Sequence, residues 1–400
     1  MKHTWSNNRF FRAIDVFLIF LRLGLTSFGG PVAHLGYFRE EFVERRQWLN
    51  EHAYSDLVAL CQLLPGPASS QVGIAIGLSR AGYLGAVVSW LGFTLPSALI
   101  LVLIAFGLTK IGNALDAGWL HGLKIIAVAV VAQAVWQMSK TLCPDLIRKL
   151  FAVVAALIAV LFPNAWGQVG VILSGGLIGW LLLKNAPLFP HVHLPIKISK
   201  CSGIIALSLF FTLLILLPLL SASTHNNFFY ICEGFFRAGS LVFGGGHVVL
   251  PLLQSVVVPA GLITNELFLA GYGAAQAGPG PLFSFAAYLG AILKLAPNGL
   301  LGASTCLIAI YLPSFLIVIG VLPFWEQLRR YQAMKQAMQG INAVVVGLLL
   351  AALYNPVWTN AIYNAVDFCV ALGAFLLLNF WKFPSWVVVL IGAGIGQIIK

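Results

Sequence analysis

Acidic side chains are scarce: 400 residues include 12 Asp and Glu against 23 Lys and Arg, and charged residues make up only 9%. With 60% hydrophobic residues and a mean hydropathy of +0.93, the chain has too little polar surface to clothe a soluble body of its length. Composition therefore points to a polytopic membrane protein. The scarcity also argues against an integral-membrane enzyme or assembly scaffold, which calls for clustered acids or histidines at matched depths. The six cysteines, Cys61, Cys143, Cys201, Cys232, Cys306 and Cys369, form no CxxC pair and have no nearby histidine at metal-binding spacing. They read as small apolar core residues, with no metal site and no cofactor expected. Gly-x-Ser-x-Gly, His-Glu-x-x-His and Gly-Lys-Ser/Thr sequences are missing, so nothing supports hydrolysis or ATP use. No small-residue cleavage site follows the basic stretch Met1 to Arg12, which is expected to be retained. The net charge of +11 comes from single basic residues in loops, without a patch of interleaved aromatics. Membrane orientation explains these residues better than nucleic acid does.

The chain does contain a repeat. Phe20-Leu-Arg22-Leu-Gly24 leads to Phe28-Gly29-Gly30, and Phe235-Phe-Arg237-Ala-Gly239 leads to Phe243-Gly244-Gly245. Gln62-x-x-Pro65-Gly66-Pro67 is answered by Gln276-x-x-Pro279-Gly280-Pro281, Ser70 by Ser284, and Leu95-Pro96-Ser97 by Leu312-Pro313-Ser314. Residues 1–184 form a first repeat and 226–400 a second, joined across 185–225 by a basic, proline-rich loop and one apolar helix near Ile204 to Leu220. One extra crossing between two even-numbered halves inverts the second copy. Each half opens with two broken hairpins, near 15–43 and 56–78 and again near 228–258 and 267–294, followed by four full crossings. In this arrangement the basic residues, from Arg9, Arg12, Arg39, Arg45, Arg46 and Arg80 to Lys140, Lys335 and Lys382, fall on the cytoplasmic side. Only Lys110, Lys124, Lys294 and Lys400 fall outside, the bias expected of an inner-membrane protein.

Arg22 lies ten residues beyond Arg12, roughly 15 Å along a helix and so deep in the membrane. A charge there costs about 2.5–3.5 kcal/mol on insertion scales and needs a compensating partner. Because Arg237 repeats the position, the pair is expected to face a shared cavity, where a planar donor fork that stays charged suits an oxyanion. Gly29-Gly30 and Gly244-Gly245-Gly246 permit one half-helix to end and another to begin. Pro65-Gly66-Pro67 and Pro279-Gly280-Pro281 do the same for the second hairpins. Gln62 and Gln276, about one turn before these breaks, serve either substrate or a freed carbonyl. Ser70 and Ser284 read first as helix-packing residues.

The acids and histidines are less symmetric. Glu233 precedes Arg237 by four residues and Asp15 precedes Arg22 by seven, so each can neutralise its arginine. Proton carriage is the lesser reading, because Tyr230 stands opposite Asp15 and Leu18 opposite Glu233. His34 and His247 follow the glycine breaks at different depths and read as satisfied polar residues. Asp56 is expected to cap a helix.

These residues also resemble a known family. Phe28-Gly29-Gly30-Pro31, Gln62-Leu-Leu-Pro65-Gly66-Pro67, Phe243-Gly244-Gly245-Gly246 and Gln276-x-Gly278-Pro279-Gly280-Pro281 are similar to the chromate ion transporters (CHR family) in their long two-domain form, across both halves. The resemblance implies a bacterial inner-membrane carrier that exports chromate and confers resistance, with sulfate as a structural analogue. The residues themselves indicate only an anion. The expectation is thus an all-helical secondary transporter of two inverted repeats, moving a tetrahedral oxyanion by alternating access and driven by an ion gradient, protons among them, or by the membrane potential. Uptake of sulfate or another anion, and an anion channel, are the rival readings. One chain is expected to hold a complete site, while a homodimer stays open.

Overall fold

The computed structural model describes residues 9–110, 118–162, 165–183, 198–224, 226–243, 245–328 and 331–399, and these are helical with no strand among them. The first repeat comprises α1 (Arg9–Thr26), α2 (Gly30–Arg39), α3 (Glu51–Leu63), α4 (Ala68–Lys110), α5 (Gly118–Leu142), α6 (Leu146–Leu161) and α7 (Ala165–Leu182). A linking helix, α8 (Lys200–Thr224), packs on α9 and α13 and exposes most of its apolar surface. The second repeat comprises α9 (Asn227–Leu241), α10 (Val249–Val257), α11 (Asn265–Ala277), α12 (Phe285–Ile292), α13 (Gly299–Val321), the single turn α14 (Trp325–Leu328), α15 (Gln332–Ala352), α16 (Ala365–Asn379) and α17 (Ser385–Ile399). Among the described residues, five stretches are long and apolar enough to span a bilayer: Ala68–Leu108, Gly118–Leu142, Lys200–Thr224, Gly299–Leu328 and Gln332–Trp358.

Both expected hairpin breaks of each repeat are present. Helix α4 is two helices joined at a kink, since Ala81 (φ −134°) and Gly82 (φ 68°) leave helical geometry. Beyond the kink the chain folds back so closely that a Cβ on Gly77 would collide with the Gly85 carbonyl. Gly290 meets Gly302 in the same way at the corresponding turn of the second repeat. Within each repeat the first helix then packs closely on the long one, and later helices interlock the two repeats. A Cβ on Gly24 would lie 2.6 Å from the Phe93 carbonyl, and one on Gly239 would strike the carbonyl of Ile310, so α1 lies against α4 as α9 lies against α13. Helix α5 meets α17 through Gly118, Gly122, Gly392 and Gly396, while α15 meets α7 through Gly340, Gly175 and Gly179. Small residues let backbones approach where lipid supplies no hydrophobic drive between helices.

The structure corrects two local expectations. Asp56 does not cap α3: Asn50 does, accepting from Ala53 N at 2.8 Å, while the buried Asp56 carboxylate accepts from Trp325 Nε1 at 3.1 Å and ties the hairpin to the second repeat. Cys201 and Cys369 lie on the outer surface rather than in the core. Gly244 and the 184–197 part of the linking segment fall outside the described residues.

Gly239→Ala is expected to destabilise the fold by about 1–3 kcal/mol, since the obstacle is backbone rather than a movable side chain. Gly107→Ala, with no atom within 4 Å of the new methyl, serves as the tolerated control. Thermal unfolding of the two variants in detergent checks this.

Candidate functional site

The breaks form where backbone geometry demands glycine. Gly29 (φ 98°) and Gly30 (φ 77°) are both left-handed, and Pro31 follows in the first turn of α2, where a missing N–H costs nothing. Gly66 (φ 121°) and Gly280 (φ 84°) turn the two Pro-Gly-Pro segments. Gly66 N donates to Val242 O at 2.7 Å, and Gly280 N donates to Ser27 O at 2.9 Å. Each Pro-Gly-Pro break is thus bonded to the first break of the other repeat, and only an approximate two-fold relation makes both contacts equivalent. The neighbours leave little room: a Cβ on Gly66 would sit 2.7 Å from Ser314 Oγ, and one on Gly280 would sit 2.9 Å from Ser97 Oγ. Ser97 and Ser284 close this crossing with a buried hydroxyl pair 2.7 Å apart.

Beside the crossing lies a cavity of about 380 Å³. Gly29, Gly30 and Pro31 form one wall, and Gln276, Gly278 and Gly280 form another. Gln133 and Gln137 of α5, His247, Asn379, Lys382 and Ser385 supply its polar groups, and no carboxylate is among the lining residues. Lys382 stands in the turn before α17 with a left-handed backbone (φ 53°). Helix starts gather here as well. A Cβ on Gly246, ahead of α10, would touch Pro31 of α2 and Leu282, ahead of α12, at 3.3 and 3.9 Å. Helix N-termini carry about half a positive charge each. A lysine, several helix starts and no acid make the cavity electropositive.

Within the cavity wall, His247 Nδ1 lies 3.0 Å from Tyr272 Oη and 3.3 Å from Gln276 Nε2. The Gln276 carbonyl, freed at the end of α11, accepts from Ser385 Oγ at 2.8 Å, and the Gln276 side chain lines the cavity beside His247. The matched Gln62 is exposed at the surface. Its freed carbonyl partner, Pro65 O, is instead served by Gln71 Nε2 at 2.6 Å. His34 is buried and packs edge-on against Phe93, with centroids 5.2 Å apart.

The arginines do not share this cavity. Arg22 donates to Glu41 at 2.9 Å, and the same buried carboxylate accepts from Arg45 at 3.0 Å and Arg46 at 2.7 Å. Asp15 lies 3.9 Å from Arg46 rather than against Arg22. Arg237 pairs with Glu233 at 2.5 Å and lines a separate, apolar pocket of about 210 Å³ against α8. A guanidinium in a low-dielectric setting takes the nearest carboxylate, and both arginines have one in place. Glu41 and Lys382 escaped the sequence reading because neither belongs to the repeated phrases. Lys382 is legible only as a loop cation until the turn before α17 is seen to close on the α2 start.

The comparisons with known proteins agree with this arrangement. A family model described as chromate transporter matches residues 14–180 and again 229–397, once per repeat. The chain belongs to the chromate transporter family. It is 28% identical over 393 residues to a probable chromate transport protein of Synechococcus elongatus, covering 95% of this chain and 93% of that one. It is 27% identical over 391 residues to a chromate transport protein of Pseudomonas aeruginosa, covering 95% and 91%. An uncharacterized transporter of Methanocaldococcus jannaschii is 28% identical over 401 residues, covering 97% and 94%. No solved structure matches. As a member of this family with several membrane-capable helices, the chain is a multi-pass membrane protein.

Arg237→Gln is expected to cost about 3 kcal/mol, because it strands the buried Glu233. The double variant Arg237→Gln, Glu233→Gln should recover part of that loss. Thermal unfolding of the three proteins in detergent forms the cycle that checks it.

Proposed function

We propose that the 380 Å³ cavity is the binding site of a secondary carrier that exports chromate from the cytoplasm across a bacterial inner membrane. The observation that carries this reading is a polar cavity holding a lysine and helix starts, without a carboxylate, in a chain whose relatives are named chromate transport proteins. Lys382 attracts the dianion over distance, and the N–H groups at Gly29–Gly30, at the start of α2, offer short hydrogen bonds as it loses water. Gln133, Gln137 and Gln276 supply neutral donors that bind without trapping the ion. The volume accommodates a small anion with some of its water.

Orientation supports export. Lys382 and Lys140 mark the cavity end of the bundle as the cytoplasmic one, and Lys124 marks the opposite end as external. With the inside negative, each negative charge carried outward gains about 2.3 kcal/mol per 100 mV, so export needs no nucleotide-binding motif in this chain. The crossing of breaks supplies the hinge. Two sets of half-helices, bonded to each other across the approximate two-fold, can exchange conformations and so turn access from one side to the other. Arg22 and Arg237 then act through position, holding the hairpins by Glu41 and Glu233 while the loop cation meets the substrate.

Everted vesicles containing the protein should accumulate chromate when energised, with excess sulfate competing. Lys382→Gln should raise KM about tenfold, the scale of one charged hydrogen bond, without loss of protein from the membrane. Chromate accumulation with an unchanged KM in the variant would remove Lys382 from the site. No accumulation by the wild type, with the protein in the membrane and a known carrier active in the same vesicles, would sink chromate export itself.

A further inference from the structure

A second polar cluster lies away from the cavity, at the other end of the same helices. Asp367, in the first turn of α16, is completely buried. Its Oδ1 lies 2.8 Å from His121 Nε2, in the first turn of α5, and its Oδ2 accepts from Tyr363 N at 3.0 Å. The His121 ring stacks on that of Tyr363, with centroids 5.6 Å apart and planes 11° from parallel. The buried Lys124 places Nζ 5.6 Å from the centroid of the same ring, and Glu266 at the start of α11 is close enough to act on Tyr363 electrostatically. Among the described residues, Lys124 from α5, Tyr363 from the turn before α16 and Glu266 from α11 are ionisable groups facing the pair. Helix α17 contributes the uncharged Gln397.

Three helices run in parallel from this cluster to the cavity. On α5, His121 is followed by Gln133 and Gln137; on α11, Glu266 is followed by Gln276; on α16, Asp367 is followed by Leu378 and Asn379. Gln133 Nε2 donates to Leu378 O at 3.0 Å, so α5 and α16 are joined by side chains at both ends. Twelve residues of helix separate His121 from Gln133, about 18 Å.

From this we infer that His121 and Asp367 form the proton-binding site of the carrier, loaded from the side opposite the cavity; the inference rests on the transport reading above. Imidazole is the side chain that ordinarily exchanges a proton near neutral pH. His121 retains some exposure (19%), whereas Asp367 has none, so the proton enters through the ring. It passes from hydronium to the imidazole, leaving water behind and an imidazolium against the carboxylate, and it is returned to water on the cavity side once access has turned. Nothing else changes covalently. With the proton, the contact that fastens α5 to α16 is an ion pair. Without it, the contact is a neutral ring beside a buried anion, and the fastening weakens at one end of the helices that line the cavity at the other. Proton occupancy thereby biases the conformation in which the oxyanion site is assembled.

The test uses everted vesicles with the membrane potential collapsed by valinomycin and equal potassium, and an acidic lumen imposed. The wild type should accumulate chromate several-fold above its level without the pH gradient. Asp367→Asn and His121→Gln should both lose that response yet retain counterflow of labelled chromate against unlabelled chromate, which needs no coupling ion. Wild-type accumulation indifferent to the pH gradient, with counterflow intact, would overturn the proton site alone, as would a full response in both variants. Loss of counterflow together with accumulation in both variants would also overturn it, by reducing the pair to a structural clamp. No counterflow by the wild type would fail the transport reading, and the proton site with it.

Discussion

A backbone interrupted inside hydrocarbon must find partners for the groups that helical bonding no longer satisfies. In this protein part of that partnership comes from the other repeat. Gly66 N bonds Val242 O and Gly280 N bonds Ser27 O, so each Pro-Gly-Pro break draws a backbone partner from the opposite break. The interlocked packing follows from that reciprocity: α5 on α17 and α15 on α7 bring the two halves close enough for the bonds to form. The glycines at these contacts serve the same end, because any Cβ at Gly66 or Gly280 would push the crossing apart.

Charge is distributed around the crossing in two different ways. Near the hairpins, arginines are neutralised: Glu41 receives three guanidiniums, and Glu233 holds Arg237. In the cavity, positive character is left available, carried by Lys382 and by helix starts whose amides have no intrahelical partner. Buried ion pairs fix shape at a desolvation cost, whereas on the proposed reading a cavity with donors and no acid would receive an incoming anion.

The second polar cluster extends this division along α5, α11 and α16. These helices present neutral amides to the cavity and ionisable groups to the opposite end. Under the proposed coupling, α5 and α16, joined by side chains at both ends, would carry a change in one contact to the other, as two ligands that influence one another through a fold require.

Much of the architecture was legible in the residues. Scarcity of charge required membrane helices, the recurrence of Arg22 and Arg237 with their glycine and Pro-Gly-Pro phrases required two copies of one broken-hairpin plan, and the spacing of Glu233 and Arg237 placed both on one helix face. Those features are local or periodic, and backbone geometry acts on them directly. What the charges would meet was not legible. Glu41 lies nineteen positions from Arg22, Asp367 lies 246 from His121, and Lys382 reads as one loop cation among many until the turn before α17 is seen to line one cavity with the start of α2. The repeated arginines pointed to the substrate, but packing gave them carboxylates and gave the cavity a residue outside the repeat. Composition and periodicity determine which segments must be helical and where they must break. Which polar groups face each other is decided only when distant segments come within a few ångströms, because electrostatic partnership depends on separation in space and not along the chain.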